Sequence, residues 1–146
     1  TVRALGHADK LDAVGTMTVV KRSPTVPVLD SYGRVEYSQS GLVRRVVETK
    51  DWEATTDVLA LPHVNPSLWI WDTTWLQESI PKIVPFRKDD GYGDERYMPR
   101  LVGIATTGGA FIREQVLDAH CADEAVGVNT ADELFAINYR PLFVSN

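Results

Sequence analysis

Hydrophobic and polar positions alternate most regularly between residues 32 and 61, YGRVEYSQSGLVRRVVETKDWEATTDVLAL. In RVEYSQ, residues 34–39, Val35 and Tyr37 fall on one side and Arg34, Glu36 and Ser38 on the other. That is the period of a strand with one packed face and one wet face. LVRRVVET, residues 42–49, continues as strand, and the Ser-Gly between the two has hairpin spacing. WEATTDVLAL, residues 52–61, predicts a further strand. Upstream, TVRALGHA alternates, DKLDAVG reads as a turn, and the β-branched TMTVVKRS, residues 16–23, predicts a strand. Two prolines make SPTVPVLDSYG a connection or an edge.

The middle of the chain is irregular, with five prolines between Pro62 and Pro99. SLWIW fits a short strand. Thr74 and Gln77 stand at capping-box spacing for a short helix that Pro81 ends. FRKDDGYGDER, charged and with two glycines, predicts a surface loop. RLVGIAT, residues 100–106, returns to strand pattern. AFIREQVLDAH, residues 110–120, places Ile112, Val116 and Ala119 on one helical face, with a hairpin partner to 100–106 as the alternative. In NTADELFAI, residues 129–137, Thr130 and Glu133 make a second capping box. NYRPLFV closes the chain in extended form. The expected fold is α+β: an antiparallel β-sheet with an N-terminal hairpin and two C-terminal helices near 110–121 and 130–137. One domain over 1–146 is expected, with a Trp- and Pro-rich insertion at about 62–99. No internal repeat is present.

Composition narrows the classes. Hydrophobic residues are 44% and charged residues 24%, which suits a globular chain and excludes disorder. The single cysteine, Cys121, excludes an intrachain disulfide. No apolar run is long enough to span a bilayer, so no membrane is expected. TVRALGHADK lacks the apolar core of a signal peptide, and removal of an initiator methionine explains a start at Thr1. The net charge is −5 and unevenly spread. Residues 1–50 hold eight Lys/Arg and five Asp/Glu, while residues 51–146 hold seven and fifteen, so +3 and −8 sum to −5. A basic half points to an anionic partner on one surface.

Little in the sequence resembles catalytic chemistry. His7, His63, His120 and Cys121 lack the paired spacing of a structural zinc site. No metal or other cofactor is expected. G-x-S-x-G, the P-loop, G-x-G-x-x-G and H-E-x-x-H are all absent. An N-terminal nucleophile at Thr1 has no evident partner. DDGYGDER lacks the ligand register of a calcium loop. Trp69, Trp71 and Trp75, within seven residues, could stack bases or sugars, but are better read as core or interface anchors. The basic candidates are Lys21, Arg22, Arg44 and Lys50. Arg44 lies on the more polar face of its strand, with Val46, Glu48 and Lys50.

The order of elements resembles the coat proteins of single-stranded RNA bacteriophages. The resemblance rests on TVRALGHADK…GTMTVVKRS as an opening hairpin and GRVEYSQSGLVRRVV as two sheet strands. GIATTGGAFIREQVLDAH would be a last strand running into a first helix, and ADELFAINYRPLF a second helix and tail. It covers roughly the first 50 and last 45 residues. It implies a non-enzymatic subunit whose sheet is completed by homodimerisation, self-assembling into a virion. The inner face would hold single-stranded RNA through Lys21, Arg22, Arg44 and Lys50. The competing readings are a small α+β enzyme or ligand-binding barrel with the Trp segment lining a pocket, and a tailed-phage neck or decoration protein.

Overall fold

The computed structural model describes residues 13–24, 26–49, 51, 54–87, 94–118, 124–128 and 130–138. Eight strands are described: β1 Ala13–Lys21, β2 Gly33–Tyr37, β3 Val43–Val47, β4 His63–Asn65, β5 Trp69–Trp71, β6 Phe86–Arg87, β7 Asp94–Glu95 and β8 Phe111–Leu117. Four α-helices accompany them: α1 Thr56–Leu59, α2 Thr73–Ser79, α3 Arg100–Thr107 and α4 Ala131–Asn138. Helix and sheet are both present, so the α+β class stands.

β1 organises the main sheet. Every residue from Gly15 to Val20 is buried. Met17 and Val19 join one hydrophobic cluster with Val35, Val43, Val46, Val102, Ala105 and Ile112. Val20 turns the other way, to Val26, Leu29, Val64 and Leu117. A strand covered on both faces needs apolar or hydroxyl side chains at every position, and GTMTVV supplies them.

On one edge β1 pairs antiparallel with β5 at Gly15–Met17 and with β4 at Val20 and Lys21. On the other it pairs with β8 in parallel, from Ala13↔Phe111 to Val20↔Leu117. The sheet is therefore mixed, not purely antiparallel. A parallel pair requires a crossover connection, and α3 lies in the chain between β1 and β8. α3 packs on β3 and β8, burying Leu101, Val102 and Ala105.

β4 and β5 act as one strand broken at Pro66 and Ser67. Ser67 has φ 60°, in the left-handed region. Asn65 holds the break: its Nδ2 donates to the Thr18 carbonyl at 2.9 Å and its Oδ1 accepts from the Ser67 amide at 3.1 Å. β2 continues the sheet beyond β4, with Gly33↔Asn65 and Arg34↔Val64, and β3 is its hairpin partner. Gly41, at φ 79°, sits in the turn. Tyr37 Oη donates to Glu114 Oε2 at 2.7 Å, joining this hairpin to β8.

Four expectations are corrected. RLVGIAT is helix α3, because Leu101, Val102 and Ala105 must face the sheet core together. The predicted helix at 110–121 is a strand over Phe111–Leu117, held by its ladder with β1; residues 119–123 lie outside the described residues. Within the expected strand 52–61, Thr56–Leu59 is helical, capped by Thr55 Oγ1 accepting from Val58 N at 3.4 Å. The expected wet face of β2 is not wet at Arg34. That side chain is buried and donates to the carbonyls of Asp30, Tyr32 and Leu59.

Two local signals are clear in the structure. In α4 both capping-box bonds form: Glu133 N to Thr130 Oγ1 at 3.2 Å, and Thr130 N to Glu133 Oε2 at 3.1 Å. α2 is capped instead by Asp72, whose Oδ1 accepts from Trp75 N at 2.7 Å, not by Thr74. The N-terminal strand and the NYRPLFV tail beyond Asn138, which ends α4, fall outside the described residues.

Candidate functional site

Across the end of the sheet, Asn65, Gly33 and Glu48 form one row. Gly33 pairs with Asn65. Extending the Arg34↔Val47 pairing by one residue sets Glu48 opposite Gly33. Directly opposed residues of antiparallel strands point to the same face, so a carboxylate and an amide flank a position without a side chain. The result is a notch at the rim of the core face.

The notch exists because residue 33 is glycine. A β-carbon there would stand 2.9 Å from Glu48 Oε1 and 2.9 Å from Val46 Cγ1. Glu48 leans over this gap. It is half-buried, and among the described residues its carboxylate has no hydrogen-bond or ion-pair partner. Burial, and secondly the negative charge of Asp51, push its carboxyl above the ordinary 4.5. Asp51 is itself engaged by Arg100 Nη2 at 3.4 Å, at the first turn of α3. Asn65 is buried and its position fixed by the two bonds described above. A carboxylate without a donor, next to bare backbone, can accept hydrogen bonds from a hydroxyl-bearing ligand.

The residues singled out from the sequence lie elsewhere. Lys21 is exposed at the end of β1. Arg22 binds Asp30 Oδ1 through Nε at 2.6 Å and the Leu59 carbonyl through Nη1 at 3.1 Å, tying a connection to α1. Arg44 projects from β3 with a side chain 65% exposed. Arg22 and Arg44 share no partner among the described residues. Lys50, His7, His120, Cys121 and Thr1 lie outside the described residues.

The three tryptophans do come together. Trp69 and Trp71 stack with ring centroids 5.4 Å apart, and Trp71 and Trp75 at 5.3 Å. The ladder packs against the cluster around Met17. A β-carbon at Gly15 would fall 2.5 Å from Trp71 Cε3, so the ring lies directly on the backbone of β1.

Gly33, Glu48 and Asn65 were not among the candidates read from sequence. One signal was available: a glycine opening a strand marks close approach of another group to the backbone. Glu48 reads as one of several polar strand-end residues, and Asn65 sits in the irregular Pro-rich part.

No protein-family model matches the chain. Similarity to curated proteins is present. The chain is 31% identical over 134 residues to the bifunctional protein GlmU of Methylococcus capsulatus, covering 92% of this chain and 26% of that protein. It is 32% identical over 125 residues to GlmU of Pediococcus pentosaceus, covering 84% and 24%. It is 30% identical over 128 residues to GlmU of Corynebacterium glutamicum, covering 88% and 24%. The chain thus spans a fifth to about a quarter of the length of the curated relatives it matches.

These matches overturn the coat-protein resemblance. The relatives are a bacterial enzyme, not subunits of a shell, so the non-enzymatic reading and the placement in a virion fall with it. The parallel β1–β8 pair is the physical reason: the resemblance implies a purely antiparallel sheet, and the order of elements alone does not reveal a crossover. The enzyme alternative is the better supported.

Proposed function

We propose that this chain is part of a transferase of the acetyl- and uridyl-transferring kind that the GlmU similarity points to, and that it serves the uridyl-transfer half. An acetyl-transferring half of the hexapeptide type would be built of six-residue repeats, which form a β-solenoid. This sequence carries no such repeat, and its described residues make a mixed sheet with packed helices. That architecture suits a site at strand ends, where loops and side chains converge.

The observation that carries the reading is the Gly33–Glu48–Asn65 notch. Glu48 would accept hydroxyl hydrogens of a polyhydroxylated acceptor, and the missing side chain at Gly33 would let that acceptor approach the strand. Its role is to bind and orient. A carboxylate poised over bare backbone fixes the rotation of a ring by holding one or two of its hydroxyls.

The test is a chimera in which this chain replaces the matching part of Methylococcus capsulatus GlmU. Uridyl transfer and acetyl transfer are assayed separately. Glu48→Gln in that chimera is expected to lower uridyl transfer at least tenfold and leave acetyl transfer unchanged. Loss of acetyl transfer with uridyl transfer intact would overturn the assignment.

A further inference from the structure

A second concavity lies at the other end of β3, about 15 Å along the strand from Glu48 at 3.3 Å per residue. It is a cleft of about 590 Å³ between the β2–β3 turn, the end of α3 and the start of β8. The volume suits a small molecule. Its walls differ in chemistry. Leu42, 55% exposed, and Phe111 are apolar, while Arg44, Ser40, Thr106 and Thr107 are polar. No carboxylate lines it among the described residues.

The charge balance inside the cleft favours an anion. Glu36, on the neighbouring strand, is the acid nearest Arg44 among the described residues. It is already engaged by Arg45, through Nε at 2.7 Å and Nη2 at 3.1 Å. Arg44 Nη1 reaches it only at 3.9 Å. One acid therefore faces two guanidiniums, and Arg44 keeps its charge and most of its donors turned to solvent. The negative end of the α3 dipole is blunted here. The carbonyls of Ile104, Ala105 and Thr106 accept from the amides of Gly108, Ala110 and Gly109. Thr106 Oγ1 donates to the Arg44 carbonyl at 2.8 Å, which fixes β3 against α3 and sets the direction from which Arg44 projects.

We propose that this cleft binds a small organic phosphate, its phosphate on the Arg44 guanidinium and its apolar body against Leu42 and Phe111. A guanidinium presents a planar fork that matches two phosphate oxygens, and an exposed leucine beside a partly buried aromatic ring gives the rest of the ligand a surface to cover. This site is separate from the Glu48 notch and does not depend on it.

Phenyl phosphate is the probe, titrated into the 146-residue chain by NMR beside inorganic phosphate and phenol. Phenyl phosphate is expected to bind at least tenfold more tightly than either fragment, with amide shifts gathered at Leu42, Arg44 and Thr107. Arg44→Gln should weaken it at least tenfold, and Arg44→Lys, which keeps the charge but loses the fork, by a smaller factor. Leu42→Ser should bring it to the level of inorganic phosphate. Both side chains are exposed, so an unchanged thermal midpoint is expected in each variant. Phenyl phosphate binding no tighter than inorganic phosphate, shifts gathered elsewhere, or an unchanged affinity in Arg44→Gln would overturn the proposal. Perturbation at Gly33 and Glu48 reports on the notch instead, so the two sites fail or hold independently.

Discussion

The carboxylate of Glu48 lies over the backbone of Gly33, with Oε1 2.9 Å from where a β-carbon at 33 would stand. One residue's lack of a side chain thus sets the position of the other's charge. Gly33→Ala introduces two conflicts, with Glu48 Oε1 and with Val46 Cγ1. The carboxylate can swing away, but the valine methyl is part of the core. Overpacking of this kind costs about 1–3 kcal/mol. Chemical denaturation should show that loss, and the displaced carboxylate should abolish ligand binding at the notch.

Glu48 itself opposes stability at neutral pH. Its folded pKa is raised above the ordinary 4.5, so its contribution is fully present below that value and is lost as pH rises through the folded pKa. Glu48→Gln removes the ionisation. The variant is expected to be more stable than the wild type at pH 7, with the difference vanishing by about pH 3 as Glu48 protonates in both folded and unfolded chains. Thermal unfolding midpoints across that range check it. A variant less stable than wild type at pH 7 would mean that the carboxylate has a stabilising partner.

Asn65 ties three points together: the Thr18 carbonyl, the Ser67 amide and, through backbone pairing, Gly33. Asn65→Ala removes both side-chain bonds and leaves buried polar groups short of partners, at a cost of about 1–3 kcal/mol. The urea midpoint should fall accordingly. The left-handed turn at Ser67 should lose its order first, visible as faster amide exchange from Ser67 to Trp71.

The tryptophan ladder gives a prediction about the core. Trp71, partly buried, is sandwiched between Trp69 and Trp75 and rests on Gly15, so Trp71→Ala should destabilise by less than the ~3–5 kcal/mol of a fully buried ring. Gly15→Ala should destabilise as well, since its new methyl would meet the ring. Near-ultraviolet circular dichroism, sensitive to stacked indoles, should lose intensity in both variants.

Local signals were legible where the chain itself determines the geometry. The β-branched run at 16–20, the Ser-Gly hairpin and the Thr130–Glu133 box all fall where the pattern put them. The failures are tertiary. RLVGIAT is a short apolar run that suits strand or helix alone, and the need to cover Val35 and Val46 selects helix. AFIREQV has residues at helical spacing, yet its parallel ladder with β1 imposes strand. Buried Arg34 broke the expected alternation because three carbonyls converge on its guanidinium. The notch was hidden for the same reason. Gly33, Glu48 and Asn65 are spread over 33 positions of sequence and meet only through strand register. A row of one glycine, one acid and one amide carries no motif until the sheet aligns it.

The most direct test of the notch as a ligand site is an amide-resolved NMR titration of this chain with a panel of neutral hexoses, wild type beside Glu48→Gln. Neutral sugars exclude a charge effect at Arg44 and leave the hydroxyl–carboxylate contact as the reporter. At least one hexose is expected to shift the amides of Gly33, Glu48 and Asn65 saturably, with the response lost in Glu48→Gln. A panel that leaves those three amides unmoved, or shifts them equally in wild type and Glu48→Gln, would contradict it.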